Sequence, residues 1–240
     1  MSGPRFFVPL PLAAGLELDL PADAANHLRV LRLQPGQRLS VFNGEGGEYA
    51  AELVLLERRR ALVRLDEHRP REAESPLAIT LLQGISKGER MDFTIQKAVE
   101  LGVSAILPVF TERSVVQLDG ERLEKRQQHW RGVATAACEQ CGRNQVPAIL
   151  PAAPLQQAWA LATADQRIVL DPVGDRRLRD IPAAGSLALL IGPEGGLTAA
   201  EVAAAAERGF SRLQLGPRIL RTETAGIAAL AALQALHGDL

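Results

Sequence analysis

The sequence predicts a two-domain protein, a small β-barrel or sandwich over residues 1–72 followed by an α/β domain with a mostly parallel sheet over residues 73–240. Three observations carry this reading. Up to about residue 72, short runs rich in β-branched and aromatic residues are broken by Pro35-Gly36, Asn43-Gly44 and Gly46-Gly47. The stretch RPREAESP, with Pro70 and Pro76, is polar and proline-flanked, as linkers are. Beyond it apolar runs of strand length alternate with helical patterns, which implies parallel strands covered by helices on both faces.

In the first domain the predicted strands are RFFVPL, QRLSVFNG, EYAAELVLLE and RRALVRLDE, and one helix, ADAANHLRVLR, interrupts them. In the second the order is strand LAITLLQG, helix GERMDFTIQKAVELG, strand SAILPVF and a long helix from Glu121 to Cys141. Strands RIVLD and LALLIG follow, then helix TAAEVAAAAERG, strand RLQLG and a last helix from about Thr222. Thr198 with Glu201 three residues on is a capping box, Gly209 fits the left-handed position after that helix, and Gly102 and Gly238 close two others.

A net charge of −1 means that no global field advertises an anionic partner, so such a partner must be met by local patches. Only Lys87, Lys97 and Lys125 among the 27 basic residues are lysine; the arginine excess suits bidentate phosphate recognition. No apolar stretch reaches the length of a membrane span, and no leader is evident in MSGPRFFVPLPLAAGL, so a cytoplasmic protein without a membrane partner is expected. Cys138 and Cys141 form a C-x-x-C, but zinc would need two more ligands and the four histidines are scattered. The motif is expected to be inert, and no metal is expected.

Chemistry concentrates near the C-terminal end. In LALLIGPEGGLTAAEV an apolar run stops at Gly192-Pro193 and restarts as a helix; a second break, Gly216-Pro217, follows strand RLQLG. Neither loop fits the lysine-bearing phosphate loop or the dinucleotide fingerprint. Two rigid glycine–proline loops at the ends of successive strands would lie side by side, where open α/β sheets bind ligands. Such loops read a ligand through main-chain N–H and C=O groups, with apolar contacts from Leu215, Ile219 and Leu220, and an adenine ring has that profile.

The chain resembles the SPOUT superfamily of knotted RNA methyltransferases, and within it the RsmE family, which methylates N3 of a uridine in 16S ribosomal RNA of the small subunit. The resemblance rests on HLRVLRLQPG (27–36), KGERMDFTIQKAVELGV (87–103), ERSVV (112–116), HWRGVATAACEQCGR (129–143), IGPEGGLTAAEV (191–202) and LGPRILRTETA (215–225). It implies a PUA-like RNA-binding barrel joined to an α/β domain with a deep trefoil knot, S-adenosyl-L-methionine (SAM) as cofactor, a homodimer, and ribosomal RNA or the 30S particle as partner. Sister families with a ribose 2′-OH or another base as acceptor, and an idle RNA-binding assembly factor, are the alternatives.

The implied cofactor site comprises Leu170 in VLDP, Ile191, Gly192, Pro193, Glu194, Gly195, Gly196, Leu215, Gly216, Ile219, Leu220, Arg221, Thr224 and Ala225. Uracil N3 carries a proton at neutral pH, so a base or an anion-stabilising cation is required. Glu139 with Arg143, four apart on one helix face, and Glu223 with Arg221 are the candidates. Arg5, His27, Arg32, Lys87 and Arg90 are the expected RNA contacts.

Overall fold

The computed structural model describes residues 3–116 and 118–240, and the chain divides into two compact units. The first is Met1–Glu74 with Cys138–Val146, and the second is Ser75–Ala137 with Pro147–Leu240. A division at residue 72 therefore misses the return of residues 138–146 to the N-terminal unit.

In that unit β1 (Arg5–Phe7), β2 (Glu17–Asp19), β3 (Arg38–Phe42), β4 (Glu48–Leu56) and β5 (Ala61–Arg69) form one sheet in the order β1-β3-β4-β5-β2, parallel only between β1 and β3. Strand β1 is shorter than RFFVPL because Pro9 and Pro11 cannot donate to a ladder. Helix α1 (Ala22–Val30) sets Ala25 and Leu28 into a core with Phe6, Val41, Leu53, Val63 and Leu65.

Inside this unit Arg5 is a structural residue. It is 8% exposed, its Nε donates to Glu48 at 2.8 Å, and its other nitrogens donate to the Cys138 carbonyl and to Asn144 Oδ1. This overturns the expectation that Arg5 contacts RNA, since its donors are already satisfied. Removing it would strand Glu48, a loss of about 3–5 kcal/mol for a broken buried pair. The expected linker is tied down as well: Arg71 donates to the Gly142 carbonyl at 3.0 Å, and Glu74 accepts from the backbone of Asn144 and Gln145.

The second unit holds β6 (Ala78–Gly84), α2 (Glu89–Glu100), β7 (Ala105–Phe110), α3 (Gly120–Cys141, through residue 137), β8 (Ala148–Ile149), β9 (Ala153–Pro154) and α4 (Leu155–Ala158). It continues with β10 (Gln166–Leu170), β11 (Ser186–Ile191), α5 (Ala199–Glu207), β12 (Ser211–Leu213) and α6 (Thr222–His237). All its strand pairs are parallel, in the order β12-β10-β11-β6-β7-β8, with β9 also on β7. Strands buried on both sides read as continuous apolar runs, and LALLI of β11 is buried throughout.

The capping box on α5 is present, with Glu201 N donating to Thr198 Oγ1 and Thr198 N to Glu201 Oε2 at 2.8 Å. Gly102 and Gly209 are left-handed at φ 78° and 82°, whereas Gly238 ends α6 at φ −113° and so caps it without a left-handed turn. Among the described residues, no helix is long and apolar enough to cross a membrane.

Candidate active site

Parallel pairing brings the C-terminal ends of β10, β11 and β12 to one edge of the sheet, and the loops that leave them enclose a cavity of about 530 Å³. Leu170, Ile191 and Leu213 end the three strands at its floor. The loop after β11 folds tightly back on itself. Gly196 N donates to the Pro193 carbonyl at 2.8 Å, Gly196 has φ 69°, and a Cβ on Gly192 would stand 2.8 Å from the Gly196 carbonyl carbon. On its other side the loop lies against Gly84, where a Cβ would come within 2.4 Å of Pro193 N. Gly84 and Gly192 are required for closeness, and Gly196 for its left-handed backbone.

Side chains pin this loop. Arg113 Nη1 donates to the Gly195 carbonyl at 3.0 Å, and Thr222 Oγ1 donates to the Gly192 carbonyl at 2.6 Å. Glu194 Oε1 accepts from Lys87 N at 2.9 Å and Arg90 Nη1 at 3.1 Å. Burial works against ionising Glu194, but those hydrogen bonds, one from its own backbone and the Arg90 charge prevail, and its pKa is lowered. The second loop, from Gln214 to Arg221, is joined to the β10 loop by Gln214 Nε2 donating to the Pro172 carbonyl at 2.7 Å.

Every residue of the expected cofactor set except Thr224 lines this cavity. Thr224 lies on α6 and is exposed. Arg221 and Glu223 line it too, at the α6 N-terminus, where no side chain caps the first turn and unpaired N–H groups are available. One carboxylate oxygen of Glu223, Oε2, is shielded from solvent without a hydrogen-bond partner among the described residues. A carboxylate oxygen held dry and unpaired calls for a donor or a cation from a ligand.

Glu139 and Arg143 are placed differently, both in the N-terminal unit. Helix α3 ends at Cys141, so Arg143 is not on the helix face that an i,i+4 pairing requires. Arg143 is nearly buried and pairs with Glu74 at 2.6 Å. Glu139 Oε1 accepts from Phe7 N at 3.0 Å, and burial raises its pKa against the pull of that bond and of His27 and Arg5. Of the other expected RNA contacts, His27 is exposed with its ring edge-on to Phe6, Arg32 and Lys87 are exposed, and Arg90 is half exposed and paired with Glu194.

Sequence reasoning missed Asp171, Arg113 and Gln83. Asp171 lines the cavity, is 7% exposed, and is gripped by Arg212 through Nε and Nη2, both at 2.8 Å. The Asp-Pro step after a strand was the available signal. Gln83, fully buried, donates to Thr222 Oγ1 at 3.0 Å, and nothing local marks it. Cys138 is buried, donates to the Gln145 carbonyl, and has its pKa pushed up to about 12 by burial. No metal-binding cluster occurs among the described residues.

Comparison with known proteins fits this geometry. Residues 73–234 match the model of the RNA methyltransferase domain and residues 20–66 that of the RNA methyltransferase PUA domain. The ribosomal RNA small subunit methyltransferase E of Buchnera aphidicola is 35% identical over 99% of this chain and 98% of its own, and that of Bacillus subtilis 30% over 98% and 99%. Among solved structures, the enzyme of that name from Neisseria gonorrhoeae, bound to S-adenosyl methionine, is 44% identical with TM-score 0.94 over 99% of both chains. A methyltransferase from Legionella pneumophila in complex with SAM is 40% identical with TM-score 0.97 over the whole of both.

Proposed function

Since the chain belongs to the ribosomal RNA small subunit methyltransferase E family, we propose that this SAM-dependent methyltransferase of small-subunit ribosomal RNA acts on N3 of a uridine and holds its cofactor in the cavity at the ends of β10, β11 and β12. The single observation that carries the assignment of the site is the closure of both glycine–proline loops around one cavity. Its volume lies within the roughly 300–1,000 Å³ of small-molecule sites. Its apolar walls and bare main-chain groups suit an adenosine moiety, and the dry Glu223 oxygen suits a cationic or N–H donor.

The cofactor supplies an electrophilic methyl group on a sulfonium. This chain's residues supply position, since near-attack geometry can account for several kcal/mol of a transfer barrier. Pinned by Arg113, Thr222 and Gly84, the first loop holds its carbonyls and N–H groups in one arrangement. Of the three acids at the cavity, Glu194 is engaged by Lys87 and Arg90 and Asp171 by Arg212, whereas Glu223 keeps an unpartnered oxygen, so we assign it the N3 proton; Arg221 and the first turn of α6 stabilise the uracil anion that results. Glu139, whose pKa burial raises, is the second candidate acid.

His27, Arg32, Lys87 and Arg90 are the proposed RNA contacts. A trefoil knot in the last quarter of the chain belongs to the same reading, supported by a strand order that places β11 between β6 and β10. So do a homodimer and a cytoplasmic location. Ile219, a cavity residue left 84% exposed, supports the dimer as an apolar contact for a second copy.

The test is methylation of small-subunit particles from a strain lacking the enzyme, with labelled donor and nucleoside identification. The expected product is 3-methyluridine, which arrests reverse transcription; a 2′-O-methyl nucleoside would overturn the acceptor. E223Q is expected to lower the single-turnover rate at saturating RNA by about a hundredfold, and an unchanged rate would remove Glu223 from the mechanism.

A further inference from the structure

The N-terminal unit carries a groove of about 610 Å³ between the end of α1 and the β4–β5 turn, and three guanidinium groups, Arg29, Arg32 and Arg58, stand along it. Of the other arginines of this unit, Arg38 pairs with Asp66 at 2.5 Å, Arg60 with Asp19 at 2.7 Å and Arg64 with Glu52 at 2.9 Å, while the exposed Arg59 and Arg69 do not line the groove. Among the described residues no ion pair engages Arg29, Arg32 or Arg58. Arg29 Nη1 reaches only the Arg58 carbonyl, at 3.4 Å. The groove's acid, Glu57, is exposed, and its field also acts on Arg60.

Backbone geometry at Arg32 makes the cluster more than a solvated surface. Helix α1 ends in a Schellman turn, with Leu33 N donating to the Leu28 carbonyl and Arg32 N to the Arg29 carbonyl, both at 3.0 Å. Arg32 occupies the left-handed position of that turn at φ 57°, and it is the one non-glycine residue with positive φ among those described. Glycine adopts this conformation freely, whereas a residue with a Cβ is strained in it. The strained residue is a long cation on a groove with two more, and strain of this kind clusters at ligand-binding positions.

We propose that Arg29, Arg32 and Arg58 form a phosphate-binding groove that holds the sugar–phosphate backbone of the substrate RNA. The occupant follows from charge: three unneutralised guanidiniums match a polyanion whose phosphates take forked hydrogen bonds, and they contact backbone rather than bases. The proposal rests on reading the protein as a methyltransferase of ribosomal RNA.

The decisive variant is R32G, because strain and recognition move in opposite directions. Its melting temperature is expected to rise by about 2 °C. Its affinity for purified small-subunit ribosomal RNA is expected to fall several-fold, with the slope of log K against log salt shallower by about 1. R29Q/R58Q, which leaves the turn intact, is expected to lower the slope by about 2. Unchanged RNA affinity and slope in both variants overturns the proposal, whatever happens to the melting temperature. Unchanged affinity for RNA with weakened binding to intact 30S particles also overturns it, in favour of a protein occupant. Failure of the underlying reading is distinct, since wild-type protein would then neither bind S-adenosylhomocysteine nor methylate the RNA.

Discussion

Thr222 Oγ1 donates to the carbonyl of Gly192 at 2.6 Å and accepts from Gln83 Nε2 at 3.0 Å. One buried hydroxyl thereby ties the first glycine–proline loop to the start of α6, the element that closes the second. T222V is expected to leave two buried polar groups short of a partner, at about 1–3 kcal/mol each. It should weaken S-adenosylhomocysteine binding about tenfold by calorimetry. T222S keeps the hydroxyl and is expected to restore the affinity; equal binding by all three proteins would show that the tie does not position the loop.

Gly84 and Gly192 are sites where added volume meets backbone. A Cβ on Gly84 would lie 2.4 Å from Pro193 N, and one on Gly192 would lie 2.8 Å from Leu197 N. Each alanine variant should destabilise the protein by about 1–3 kcal/mol, as overpacking does, and abolish detectable cofactor binding. Gly132, exposed on α3 with open space around it, is the control; G132A is expected to stabilise by about 0.5–1 kcal/mol.

Burial raises the pKa of Glu139 in the folded state from an ordinary value of 4.5. Between the unfolded and folded pKa values the native state therefore binds more proton than the unfolded chain, and its stability falls as pH rises through that window. E139Q keeps an oxygen for Phe7 N and removes the titration. Its stability relative to wild type should increase as pH is raised from 4 through the folded pKa in urea unfolding series. A pH-independent difference would mean that Glu139 ionises without penalty.

With its pKa pushed up to about 12, Cys138 should resist alkylation in the native protein at pH 8 and react only on unfolding, as mass spectrometry of labelled peptides would report. C138A/C141S is expected to keep methylation within twofold of wild type, and activity should survive chelators. Loss of activity in the double variant would return the C-x-x-C to functional consideration.

Alternation of strand and helix patterns was legible because periodicity is local, and LALLI, the capping box of Thr198 and the glycine after α5 each declare themselves within a few residues. The two glycine–proline loops declared a site for the same reason: bare, stiff backbone at a strand end is a local property. What the chain could not show was partnership across distance. Whether Arg5 faces solvent or Glu48, whether Arg143 meets Glu139 or Glu74, and whether Gln83 reaches Thr222 depend on register and on the return of residues 138–146 to the N-terminal unit. A side chain's role follows from its chemistry together with its surroundings. Identity sets the first; burial and long-range pairing, which fix desolvation and satisfy donors, belong to the folded molecule alone.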